Sequence, residues 1–423
     1  MIRVPSAKST VSNCLIVIAV LTLSITCIGV ANAQETETKE TGSQSKTTQQ
    51  TTGSDSKPAE QMKKMSAQEV YKKTVTNGID YLLNKGQDRE DGAYSKELGP
   101  AVTAMCTTAL LKNGVRLEHP QIQKSLKYLE GFVRADGGVY APKSNLRNYE
   151  TSVAVMCFVA ANKDGKYDKI IQEAVGFQKN IQWDDGEGHD RKSTFFGGQG
   201  YGNHKRPDMS NTSFFVDALK ASGEDADSVA MKKALEFISR TQNLNNEHNV
   251  MEYASKATAD DRGGFIYTPV GEGESKAGKT PEGGLRSYAS MTYAGLKSFL
   301  YAGLDKKDIR VQAALDWIRR HYDLETNPGM GKQGLFYYYH VFAKALDAFG
   351  DDELVDKDGN KHNWRAELTA TLAKQQSADG SWVNEADRWF EGDPNLVASY
   401  SMLALSYCQP EKANPNTTKK ARQ

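Results

Sequence analysis

Apolar residues between Gly78 and Cys408 follow two alternating patterns. One is a one-sided stripe that carries a small residue, an aliphatic, any residue and an aromatic. It reads Gly78-Ile79-Asp80-Tyr81, Ser125-Leu126-Lys127-Tyr128, Ala174-Val175-Gly176-Phe177, Ala234-Leu235-Glu236-Phe237 and Ala314-Leu315-Asp316-Trp317, with a degenerate sixth copy around Leu368 and Leu372. The other is a nearly unbroken apolar run, as in Ser152 to Ala161, Met291 to Leu300 and Ala398 to Leu405. A stripe predicts a helix with one wet face, and a run apolar all round predicts a helix buried on every side. Glycine-rich turns join the two kinds, as at Asp136-Gly137-Gly138, Gly263-Gly264-Phe265 and Asp379-Gly380-Ser381-Trp382.

Six such pairs are stacked supersecondary units, none of which buries its apolar face alone. A ring suits six helical hairpins better than a rod, because a ring leaves no exposed end. The apolar helices should line the inside and the striped ones the outside, giving an all-α chain folded as an (α/α)6 toroid. Ser66 opens the first helix with a capping box that Glu69 completes. Glycine in each turn admits the backbone reversal, and the aromatic after it wedges between hairpins. Asp356-Lys357-Asp358-Gly359-Asn360 reads as a tight turn.

The ends differ from this repeat region. Residues 1–33 have the form of a signal peptide: Arg3 and Lys8, an uncharged apolar stretch from Cys14 to Val30, then Ala31-Asn32-Ala33. Residues 34–65 form a polar linker too poor in large apolar side chains to fold. The toroid is expected over 66–409 and a loose tail over 410–423. An exported protein, periplasmic or extracellular, follows, with no integral membrane span once the signal is cleaved. The whole chain has zero formal charge, and loss of Arg3 and Lys8 leaves −2 with no basic stripe, which argues against nucleic acid. Cys106, Cys157 and Cys408 remain, without disulfide-framework or zinc spacing. Cys106 and Cys157 hold matching places in two apolar helices and read as small buried hydrophobes, a mutual disulfide being the alternative.

At these repeats the chain resembles the prenyltransferase and squalene-cyclase superfamily. Gln376-Ser377-Ala378-Asp379-Gly380-Ser381-Trp382 is similar to the end of the cyclase QW motif, and Lys233 to Ile238 followed by Gln242 to its front half. The resemblance implies an α/α toroid with a central, often aromatic-lined cavity, and a terpenoid-cyclase-like or prenyltransferase-like activity on a hydrophobic substrate. Its acid motif D-x-D-D is not matched: Asp225-Ala226-Asp227-Ser228 lacks the last carboxylate and Gln182-Trp183-Asp184-Asp185 the first. Its zinc set is reduced to His340, since Leu285-Arg286-Ser287-Tyr288 supplies neither Asp nor Cys. No metal and no cofactor are therefore expected.

Candidate chemistry gathers where the inner helices begin, because unpaired N–H groups there favour polar or anionic ligand groups. Asp393, His340 and Asp208 are the candidate catalytic residues. Tyr201, Arg206, Tyr337, Tyr338, Tyr339, Arg388 and Trp389 are the candidate ligand contacts. Asp208 and Asp393 also stand where N-caps stand. Two functions follow: a binding protein for a hydrophobic, glycan or peptide ligand, or an enzyme acting on an isoprenoid.

Overall fold

In the computed structural model, residues 65–202 and 205–410 are described, all within one unit, Asp55–Gln423. The expected signal peptide, almost all of the linker and nearly all of the tail lie outside them. Outer helices are α1 (Ala67–Tyr81), α3 (Pro120–Glu130), α5 (Asp168–Asn180), α7 (Val229–Arg240), α10 (Ile309–Arg320) and α12 (Trp364–Gln375). Inner helices are α2 (Pro100–Lys112), α4 (Arg147–Ala161), α6 (Met209–Ala221), α9 (Ala289–Tyr301), α11 (Leu335–Phe349) and α13 (Pro394–Leu405). A short α8 (Glu252–Ser255) lies in the long connection before α9, and Leu354–Val355 pairs antiparallel with Lys361–His362 around the Asp356 turn.

Each inner helix packs on the next, α2 on α4 and so on to α11 on α13, and α13 packs back on α2. The outer ring closes at the same seam, α12 against α1. The repeat therefore closes into the expected all-α toroid. Burial follows the two sequence patterns: Pro100 to Leu110, Ala289 to Phe299 and Leu396 to Leu405 are buried without a break, whereas α1 buries only one side. The Ser66 capping box forms, with Ser66 accepting from Glu69 N and Glu69 from Ser66 N.

The turns explain why the striped helices carry a small residue. The Gly137 backbone has a positive φ, and a Cβ there would stand 2.7 Å from the Glu173 carbonyl, one residue before Ala174 of the next outer helix. Gly380 makes the same approach to Asn77, one residue before Gly78, and so closes the seam. Glutamine staples hold four of these turns. Gln182 donates to Gly197 O (2.9 Å) and Ala230 O (3.1 Å), Gln242 to Gly263 O (2.9 Å) and Arg310 O (2.8 Å). Gln87 bridges Gly92 and Gln121, and Gln376 bridges Gly380 and Thr74 at 3.0 Å each. Each staple satisfies a turn carbonyl and one on the next repeat's outer helix, four residues before its small residue.

Cys106, Cys157 and Cys408 are free and buried, and Cys106 donates to Asn395 O at 3.4 Å. The alternative of a disulfide is not the one adopted. No helix among the described residues is long and apolar enough to cross a membrane.

Candidate functional site

Two recesses among the described residues hold four of the predicted residues between them. The first is a cleft of about 600 Å³ on the side where α6 begins, lined by Asn145, Leu146, Tyr201, Lys205, Arg206, Asp208, Tyr267 and Lys276. Three predicted residues, Tyr201, Arg206 and Asp208, come together there. Asp208 is the N-cap of α6 and is 1% exposed, accepting from Asn211 N at 2.9 Å and from Asn211 Nδ2. Burial lifts its carboxyl to about 6 against the pull of these hydrogen bonds. Arg206 and Lys276 share Glu274 and both lie over the Tyr267 ring.

The second recess is a cavity of about 290 Å³ at the opposite mouth, where all six inner helices end. Its wall includes Met105 and Thr108 of α2, Val153 and Met156 of α4, Phe214 and Asp217 of α6, Tyr301 of α9, His340 and Lys344 of α11, and Leu403 of α13. Of the predicted residues only His340 lies here. Its Nδ1 is buried and has no hydrogen-bond partner among the described residues. Burial, then the Lys344 charge, draws its imidazole down to about 3, so the ring is neutral at physiological pH.

Asp217, on the same wall, is gripped by two lysines. Lys297 Nζ lies 2.6 Å from Asp217 Oδ1 and Lys344 Nζ 2.7 Å from Oδ2, with Lys297 wholly buried and also donating to Ser213 Oγ. Burial pushes the Asp217 carboxyl up, but the two ammoniums outweigh it and hold it below its usual range. Burial draws Lys297 down to about 8 while Asp217 resists, whereas Lys344 is raised because Asp217 outweighs its burial. Two cations thus share one carboxylate, and Asp217 is the single acid on this cavity's wall among the described residues.

An aromatic layer crosses the bore beside the cavity, and Phe214 and His340 of that layer line it. Tyr149 meets Phe214 edge-on at 4.9 Å, Phe214 stacks on Tyr337 at 6.1 Å, and Tyr337 and His340 both pack on Tyr400. Tyr337 is therefore a bore residue whose hydroxyl reaches Ser210 Oγ at 3.2 Å.

The remaining predicted residues are placed elsewhere. Tyr338 and Tyr339 are core: their hydroxyls donate to Asp323 O and Leu324 O at 2.6 Å, and both rings are fully buried. Asp393 caps α13, accepting from Leu396 N at 2.7 Å and Ser95 Oγ at 2.7 Å, and lines neither recess. Its carboxylate caps the helix end, as that of Asp208 does, and this placement gives the expected catalytic acid neither recess to act in. Arg388 stacks on Trp389 and donates to Gln333, on a loop where Trp389 and Phe390 both adopt positive φ. Glu391 pins that loop by accepting from Tyr337 N at 2.8 Å. Asp217, Lys297, Lys344 and Met156 were not anticipated from the sequence.

The D-x-D-D near-matches are structural. Asp184 caps a short turn and pairs with Lys233, and Asp225 accepts from Asp227 N in an exposed turn. Among the described residues no cluster of histidine, cysteine or acid side chains is arranged to hold a metal.

Residues 99–260 match the family model described as squalene-hopene cyclase C-terminal domain. No curated protein matches the chain. Among solved structures, the type II terpene cyclase MstE from Scytonema in its apo form is 12% identical, with a TM-score of 0.47 over 82% of this chain and 98% of that one. A variant of MstE in complex with the product merosterolic acid A is 13% identical, with a TM-score of 0.49 over 81% and 98%. A possible GH105 family member from Salmonella enterica is 11% identical, with a TM-score of 0.47 over 82% and 95%. The helical contacts themselves carry the fold, and the matched segment runs from α2 past α7. The repeats and this match together support the prenyltransferase and squalene-cyclase superfamily, on an α/α toroid.

Proposed function

We propose that this chain is an exported ligand-binding toroid, which holds a small hydrophobic molecule in the cavity where the inner helices end. The observation that carries this reading is the state of Asp217. A cyclase that protonates an alkene needs an acid that keeps its proton, and a wall that stabilises positive charge. Here the cavity's one acid is held ionised between two ammoniums, and the surplus charge beside it is positive, which opposes a carbocation. The wall of Met105, Val153, Phe214 and Leu403 instead suits apolar binding, as most small-ligand pockets do. Native mass spectrometry of protein purified from its own host tests this. The expected result is a hydrophobic adduct on a mature chain starting at Gln34, with no product from polyprenyl alkenes. Turnover of such an alkene would overturn it.

Asp208 favours a second reading, that of an isoprenoid-transforming enzyme at the opposite mouth. It is a buried acid near pH 6 that faces a cleft with Tyr201 and Tyr267. Under that reading Asp208→Asn abolishes a measurable turnover while the fold survives. Turnover that persists in the folded variant excludes Asp208 as the acid.

A further inference from the structure

We infer that the ligand of the cavity at the inner-helix ends is an anionic amphiphile with a short apolar chain, its carboxylate seated at Lys344 and His340. The inference rests on the ligand-binding role proposed for the same cavity, and names the chemistry of what it binds.

Charge comes first. Among the described residues Lys297 and Lys344 share Asp217 as their one acid, and both are nearly withdrawn from water, at 0% and 8% exposure. A buried cation without a full counter-charge is costly, and an incoming anion removes that cost. Lys297 lies behind the wall, so Lys344, which lines the cavity, is the ammonium a ligand reaches. Beside it His340 lines the cavity as a neutral imidazole, which can donate one N–H to a carboxylate oxygen.

The opposite wall sets the rest of the molecule. Met105, Val153, Phe214 and Leu403 offer an apolar lining and no charge. The volume, about 290 Å³, lies at the low end of the roughly 300–1,000 Å³ of ligand pockets, which favours a short chain. At the rim Lys112 lies over the Tyr407 ring and Lys220 over Tyr301, where they attract anions to the opening. The negative ends of the helix dipoles also face this mouth, but their field fades within the last turn, where these two lysines stand. Lys297 and Lys344 lie about one turn deeper.

Calorimetric titration of the mature protein at pH 7 tests the inference with three probes of one chain length: decanoate, decanol and decyltrimethylammonium. Decanoate should bind about tenfold or more tighter than decanol, as expected for a charge-assisted contact, and the cation should not bind. Lys344→Met leaves Asp217 and Lys297 as a balanced pair. It should erase the preference for decanoate over decanol, and decanol binding that is still measurable shows that the cavity is intact. Equal affinity for decanoate and decanol, or a preference that survives Lys344→Met, overturns the anionic head and leaves the hydrophobic-ligand reading standing. Failure of all three probes, with no adduct in native mass spectrometry, removes both.

Discussion

Asp208 and Asp217 stand near the two ends of one inner helix, both buried, and their surroundings drive them in opposite directions. Asp208 meets a backbone N–H, the Asn211 amide and the Tyr267 hydroxyl, with Arg206 acting on it from nearby, yet burial wins and its carboxyl rises to about 6. Asp217 meets two ammoniums, which override burial and keep it ionised. The cation pair of the first mouth, Arg206 and Lys276 on Glu274, is partly exposed to solvent, whereas the lysine pair of the second is enclosed. Two cations sharing one acid are thus cheap where water reaches them and costly where it does not. The difference teaches that one fold offers two sites of unlike chemistry: a buried acid at the helix starts and a surplus buried cation at the helix ends.

The largest expected effect breaks the second mouth. Asp217→Asn strands two buried ammoniums and should destabilise the protein by about 3–5 kcal/mol in urea unfolding at pH 7.5. Lys344→Met leaves a balanced pair and should cost under about 1 kcal/mol. Equal costs for the two variants would show that the lysines are not competing for one carboxylate.

Asp208→Asn should act in the opposite sense. Asparagine caps as well as aspartate, and Asn211 Oδ1, without a partner among the described residues, can accept from the new amide once its side chain flips. The folded carboxyl, at about 6, lies above its ordinary 3.8, so the folded state holds the proton more tightly. The stability of the native chain therefore rises as pH falls from about 6 to about 4 through this group. Asp208→Asn should be more stable than the native chain by up to about 3 kcal/mol at pH 7.5, with the advantage gone below pH 4. A variant less stable at pH 7.5 would show that hydrogen bonding, not burial, dominates at this mouth.

A smaller effect sharpens the contrast through Lys297. The charged groups facing it are Asp217 of α6 and Lys344 of α11, with Ser213 as its neutral donor-acceptor and His340 uncharged nearby. An anion in the cavity favours charged Lys297, so decanoate binding should take up a fraction of a proton near pH 8. Its affinity should fall by a few-fold as pH rises past about 8. Calorimetry in buffers of different ionisation enthalpy reads this uptake, and none at pH 8 would mean that Lys297 does not sense the ligand.

The ring was legible because a repeating stripe and a repeating apolar run can be counted along the chain. Its closure was legible because a ring leaves no exposed end, and the structure shows the Gly380 turn resting on α1 at Asn77. The caps at Ser66, Asp208 and Asp393 were legible for local reasons. The tyrosine run was harder. Tyr337, His340 and Lys344 share one helix face at spacings of three and four, which turns Tyr338 and Tyr339 outward into the core. The charged cluster left a trace in the sequence, Asp217, Lys297 and Lys344 in three mostly apolar helices, two of which carry one more charge, Lys220 and Asp347. Nothing local said that these would meet, because packing of α6, α9 and α11 joins positions far apart in the chain.

The most direct measurement is a crystal structure of the protein with ω-bromodecanoate, using the bromine's anomalous signal to locate the chain. The predicted result is a bromine peak among Met105, Val153 and Phe214, with the carboxylate against Lys344 and His340. A peak in the cleft of Arg206 and Lys276 instead, with the other cavity empty, would contradict it.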